Sequence, residues 1–233
     1  MLVGSDFPKI EFDFFGLCLL EPNTVFGDFI LFFFSFSFAV WLNRQKGRGD
    51  FVFFWKLFFL FFSFSFFLGG LGHLFYNYWG VAGKVFPWLL GVFSVYFVER
   101  AMLSIHKNRI WRARFLLFSK IKLFLACALE LAVVCFLDLE LDPTKGMVVP
   151  TINSGLGLVF SLGILPFFYF RLFSPCFVFF VSGVLSLVPS VFFQYMKINF
   201  HPLFDRNDAS HTLLLFSIFL FFIGLKKHLS FQK

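Results

Sequence analysis

Long apolar runs separated by short polar stretches set the pattern of this chain. The run "FVFFWKLFFLFFSFSFFLGG" (51–70) puts apolar side chains on every face of a helix, not along one stripe. Such a helix is surrounded by apolar material on all sides. Crossing the ~30 Å hydrocarbon layer takes ~20 residues of this kind. The pattern predicts spans near 23–42, 52–75, 86–105, 116–137, 147–169, 174–194 and 209–225. The connections between them are short, so residues 1–233 are expected to form a single domain. The predicted fold class is all-α integral membrane, a single seven-transmembrane-helix bundle. The fourth span is weakest at its start, where Lys120 and Lys122 are expected to snorkel to the interface. Arg171 to Pro175 predicts a tight helical hairpin between the fifth and sixth spans.

Composition supports this reading. The 233 residues are 59% hydrophobic and 14% charged, with a mean hydropathy of +0.85, against about 25% charged in ordinary soluble domains. The 46 Phe read first as lipid-facing residues used where other chains use Leu, and second as an aromatic binding surface. The first twenty residues have no basic region, so no cleavable signal peptide is expected. The four cysteines lie in or beside apolar runs without a CxxC pair and read as packing residues.

Charge sets the orientation. Seven spans place the termini on opposite sides, and fifteen of the 20 basic residues fall on the C-terminal side. The positive-inside rule therefore predicts the N-terminus outside and the C-terminus cytoplasmic. The net charge of +7 and the basic run "HKNRIWRAR" (106–114) follow from that topology. No nucleic-acid partner is expected; the partner of the basic face is membrane lipid. The expected location is a bacterial inner (plasma) membrane.

Topology does not explain the acids. Ten of the 13 fall on the outer side, where they contribute little to orientation. "FDRNDASHTLLLFSIFLFFIG" (204–224) places Asp205, Asn207, Asp208 and His211 just before an apolar span. "EPNTVFGD" (21–28) places Glu21, Asn23, Thr24 and Asp28 at the same depth. "GGLGHLFYNYW" (69–79) ends the second span at His73, among glycines that permit close helix approach. His201 lies in the preceding outer loop. Asn207 and Asp208 stand four and three residues before His211, so either shares its helix face. Histidine with carboxylate or amide suits zinc, and an open position would hold water. The alternative reading is structural: Asn207 or Asp208 caps the last span. Glu130 lies near mid-membrane, where it is expected to be protonated and bonded to a neighbouring helix, or to serve substrate or protons. Glu99 and Arg100 read as a local pair, and Gly157 with Ser161 as small-residue helix packing.

Seven spans, an E-x-N-T stretch before the first, a glycine-flanked His ending the second and a His opening the seventh resemble the alkaline ceramidase and progestin–adipoQ receptor superfamily of membrane hydrolases. The resemblance implies a zinc ion held by three histidines of spans two and seven, with its water attacking a lipid amide. It carries over Glu21, Asn23 and Thr24 as the first motif, His73 as the first ligand, and Asn207 with His211 as the last pair. Gly69 stands where that pattern has Ser, Lys84 where it has Asp, and Asn207 where it has His. His201 or Asp208 is then the candidate remaining ligand. Asp28, Asp205 and Glu21 are the candidate catalytic acids.

The first expectation is therefore a zinc-dependent hydrolase of a lipid amide or ester, with its site at the outer mouth of the bundle. The second is a non-enzymatic membrane protein (a receptor, scaffold or small-solute carrier) in which the same polar residues are structural. No P-loop, G-x-S-x-G, H-E-x-x-H or Rossmann fingerprint is present.

Overall fold

The computed structural model describes residues 2–3, 8–45, 49–169 and 176–231. Its helices are α1 (Pro22–Asn43), α2 (Gly49–Leu74), the one-turn α3 (Tyr76–Trp79), α4 (Ala82–Ser104), α5 (Arg109–Phe136), α6 (Pro143–Phe168), α7 (Phe177–Tyr195) and α8 (Arg206–Phe231). Among the described residues six of these, α1, α2, α4, α6, α7 and α8, are long and apolar enough to cross a membrane. This is an all-α integral membrane architecture. The predicted hairpin at Arg171–Pro175 lies outside the described residues, as do Lys46, Arg48 and Lys233 of the basic side.

α2 packs most extensively, against α1 on one side and α4 on the other. Glycine sets the closest approach. A Cβ added at Gly72 would lie 2.7 Å from the Gly83 carbonyl oxygen, so α2 and the start of α4 meet backbone to backbone. Aromatic packing fills the centre. Trp55 is fully buried, its ring stacked on Phe180 at 5.7 Å, and Phe38 stacks on Phe222 at 4.0 Å. Other phenylalanines, such as Phe33, Phe86 and Phe124, face outward.

α5, which contains the predicted fourth span, differs from the other long helices. Its 28 residues extend ~42 Å, enough to cross, but Lys120, Lys122 and Glu130 interrupt its apolar stretch. It begins where Asn108 accepts hydrogen bonds from the Ile110 and Trp111 amides at 3.0 and 3.1 Å. Contrary to the snorkelling expectation, the Lys122 ammonium lies 2.8 Å from Glu99 Oε1 and donates to Asn153 Oδ1 at 2.6 Å. Glu99 also accepts from the Ser119 hydroxyl, so this group ties α4, α5 and α6. The expected Glu99–Arg100 pair is absent from this arrangement: Arg100 turns to the Phe54 ring and to Tyr96 Oη. α6 packs on α4 at Gly157 and then widens into a π-helical stretch, Val159–Ile164.

The chain is not wholly helical. Among the described residues four short strands were not expected from the sequence: β1 (Leu2–Val3), β2 (Glu11–Phe14), β3 (Leu17–Leu20) and β4 (Ile198–Asn199). β2 and β3 form a hairpin whose turn has positive φ at Phe15 and Gly16, the combination that two-residue hairpins favour. The Cys18 amide donates to Tyr78 Oη at 3.0 Å, which anchors the hairpin to α3. β1 pairs with β4, tying the N-terminus to the α7–α8 connection. The hairpin therefore sits at the end of the bundle where α1, α4 and α8 begin and α2 ends.

Candidate functional site

Glu21 precedes α1 with φ 50 and ψ 52, a left-handed conformation that a non-glycine residue holds only when its surroundings fix it. Several contacts do so here. Its amide donates to the Ile10 carbonyl at 2.9 Å, and its carboxylate pairs with Lys9 and, at 2.6 Å, with His73 Nδ1. Burial opposes the charge on Glu21, but His73, Lys9 and Lys84 outweigh it and hold the carboxyl well below its usual range. Pro22 follows in the first turn of α1, where its missing amide hydrogen costs nothing.

Asn23 and Thr24 come next, and both donate to Asp208 on α8, at 2.6 and 3.2 Å. Asp208 also accepts from the Asp205 amide at 2.9 Å. Asp205 in turn caps α8, accepting from the Asn207 and Asp208 amides at 2.7 and 3.1 Å. The cap is thus Asp205, not Asn207 or Asp208 as expected. Burial is the main cause of a raised Asp205 carboxyl, against the amides that favour its charge.

One turn deeper, Asp28 Oδ1 lies 3.4 Å from His211 Nε2. Its other oxygen is buried without a hydrogen-bond partner among the described residues, as are His211 Nδ1 and Asn23 Oδ1. Gly69 and Gly70 leave the room Asp28 occupies: a Cβ at Gly70 would lie 3.1 Å from Asp28 Cβ. A Cβ at Gly69, one turn before His73 on α2, would lie 3.7 Å from Asp28 Oδ2, so the Asp28–His211 pair lies beside the His73 end of α2. Two carboxylate–histidine pairs therefore share this mouth.

Lys84, met in the sequence only as a departure from a family pattern, completes the set. It sits in the first turn of α4, 5.0 Å above the Tyr76 ring, and its charge acts on Glu21, Asp28 and Asp205. Lys9 is the second cation the sequence reading missed. Neither carries a periodic signal, since each owes its role to the fold.

Between α1 and α8 a groove of about 250 Å³ opens beside this cluster. Phe26, Ile30, Leu203 and Leu215 form its apolar side, and Asn23, Asp208, His211 and Thr212 its polar end.

The structure does not bring all the expected residues together. Glu21, Asp28, His73, Asp208 and His211 meet at the mouth. Asn207 turns its amide oxygen to Gln194 Nε2 at 3.1 Å. His201 is exposed in the α7–α8 connection, its Nδ1 accepting from the Leu203 amide at 3.1 Å. Among the described residues no group of three or more His, Cys, Asp or Glu side chains is placed to hold a metal ion.

The comparisons with known proteins add one finding. A family model described as a family of unknown function (DUF6962) matches residues 23–230. No curated protein and no solved structure matches the chain.

Proposed function

We propose, for a chain that belongs to the family of unknown function (DUF6962), that it is a seven-span membrane protein that binds a membrane lipid from the outer leaflet. In this reading α5 crosses as the fourth of seven spans and the N-terminus lies outside, as the distribution of basic residues favours. The observation that carries the reading is the groove between α1 and α8. Its apolar side continues the lipid phase, and its polar end holds two buried, unpaired hydrogen-bonding atoms, Asn23 Oδ1 and His211 Nδ1. A mostly apolar pocket with a few convergent polar groups suits an amphiphile. The lipid chain lies along Phe26 and Leu215, and its polar group exchanges hydrogen bonds with Asn23 and His211. The test is lipid retention by detergent-purified protein, read by native mass spectrometry. The wild type is expected to retain a lipid, and Leu215→Trp, which fills the groove, to lose most of it. Equal retention in both overturns the reading.

A second reading, hydrolysis of a lipid amide or ester at a zinc ion, is favoured by His73 and His211 meeting carboxylates at one mouth. The donor set fits a three-histidine centre poorly. A carboxylate on His73 Nδ1 suits a metal-held imidazole, but Asn207 stands where the third histidine would and is turned to Gln194, and His201 is exposed in the α7–α8 connection. Metal content separates the readings. About one zinc per chain, lost in His73→Ala and His211→Ala, supports hydrolysis; no zinc in the wild type removes it.

A further inference from the structure

One ionisable group inside the bundle plays no part at the mouth. Glu130 is fully buried on α5, and neither oxygen of its carboxyl has a hydrogen-bond partner among the described residues. It shares the buried face of α5 with Ser119 and Ala126. The half-buried charge of that helix is answered: Lys122 has Glu99 and Asn153. The contrast lies within one helix and against the same neighbours, α4 and α6.

The ionisable groups on the elements packed against α5 are otherwise engaged or exposed. On α5 itself the nearest in sequence is Cys127, whose thiol feels the Glu130 charge. On α4, Glu99 is held by Ser119 and Lys122, and Tyr96 accepts from Arg100. On α6, Lys145 is exposed. Among the described residues no cation forms an ion pair with the Glu130 carboxyl. An ionisable residue kept at membrane depth is a functional group by default. A Gln or Leu would fill the same space without exposing the fold to a stranded charge. What a carboxyl offers that these do not is exchange of a proton.

We propose that Glu130 is a proton-binding site inside the bundle, separate from the lipid groove. The step is a transfer between hydronium and carboxylate: one O–H bond forms on Glu130 as one breaks in hydronium, leaving water, and the reverse releases the proton. Glu130 lies six residues from the nearer end of α5 at Phe136, ~9 Å along the helix. Exchange of the proton with water requires the α4–α5 contact to open at that end. The charge at the α4–α5–α6 contact then changes by one unit as the proton comes and goes.

The test is a pH titration of the full-length protein in lipid by infrared difference spectroscopy. Wild type is compared with Glu130→Gln, with exposed Glu11→Gln as control. The expected result is a protonated-carboxyl C=O band near neutral pH that fades as pH rises. It is absent in Glu130→Gln and unchanged in Glu11→Gln. A Glu130 that shows only carboxylate bands at neutral pH overturns the proposal, as does a protonated band that persists unchanged to the alkaline limit. If Glu130→Gln fails to fold by gel filtration, Glu130→Asp serves instead. The band then shifts in position without vanishing, and no shift at all overturns the proposal.

Discussion

At the residue scale, the stretch from Glu21 to Asp28 closes the mouth by reaching two other helices. Asp208 is its main acceptor, taking hydrogen bonds from Asn23, Thr24 and the Asp205 amide. Asp208→Ala leaves those donors unpaired and is expected to cost about 1–3 kcal/mol, measured as a lowered Tm in detergent. The two acids flanking the site respond to pH with opposite signs. The Glu21 carboxyl is depressed by His73 and Lys9. Its stabilisation is complete above the unfolded value of about 4.3 and is lost as pH falls below it. The Tm gap between wild type and Glu21→Gln should therefore narrow in acid. The Asp205 carboxyl is raised by burial, so its charged form weighs against the fold, and stability declines as pH rises through its range. Asp205→Asn keeps the helix cap and removes that pH dependence, whereas Asp205→Ala also loses about 1 kcal/mol of capping. Much of this was legible at the level of residue type and depth: Glu21, Asp28, His73, Asp208 and His211 lie at the mouth, whereas His201, expected in the same layer, is exposed in the α7–α8 connection. The pairing was not legible, because it depends on helix rotation to within one residue. Asn207 and Asp208 are neighbours on one turn, yet one faces Gln194 and the other faces Asn23.

At the element scale, α5 shows how a helix with three interior charges is held in a bundle. The Glu99–Lys122 pair with Ser119 and Asn153 supplies what lipid would not. Removing one partner strands the other. Lys122→Ala is expected to cost about 3–5 kcal/mol, while an apolar replacement of both, Glu99→Leu with Lys122→Leu, should recover most of it. Thermal unfolding of the three proteins in one detergent checks this. Gly157 makes the contact possible: a Cβ there would collide with Val95 and lie 2.5 Å from Glu99 Oε1. Gly157→Ala should destabilise by about 1–3 kcal/mol. Gly155, with nothing within 4 Å, should gain up to about 1 kcal/mol as Ala. The sequence marked Lys122 for the interface and Glu99 for Arg100 because periodicity does not reveal which helix lies opposite. It also gave no sign of the β2–β3 hairpin, whose alternation is too short to stand out beside the spans.

At the scale of the whole molecule, hydropathy carried the most information, because every helix in lipid must be long and apolar regardless of its partners. The six apolar helices coincide closely with six of the expected spans, and the remaining one falls on α5. What hydropathy could not supply is the lateral groove between α1 and α8: Asp208 ties the start of α1 to α8 at its polar end, and Phe34 and Phe38 meet Phe219 and Phe222 deeper in the bundle. A lipid is expected to enter there. A photoactivatable, clickable phospholipid in reconstituted vesicles tests this directly, with crosslinked peptides mapped by mass spectrometry. Crosslinks concentrated on Phe26–Ile30 and Leu203–Leu215, and abolished by Leu215→Trp, are the predicted result. Crosslinks spread evenly over the lipid-facing helices, and unchanged by that substitution, would contradict it.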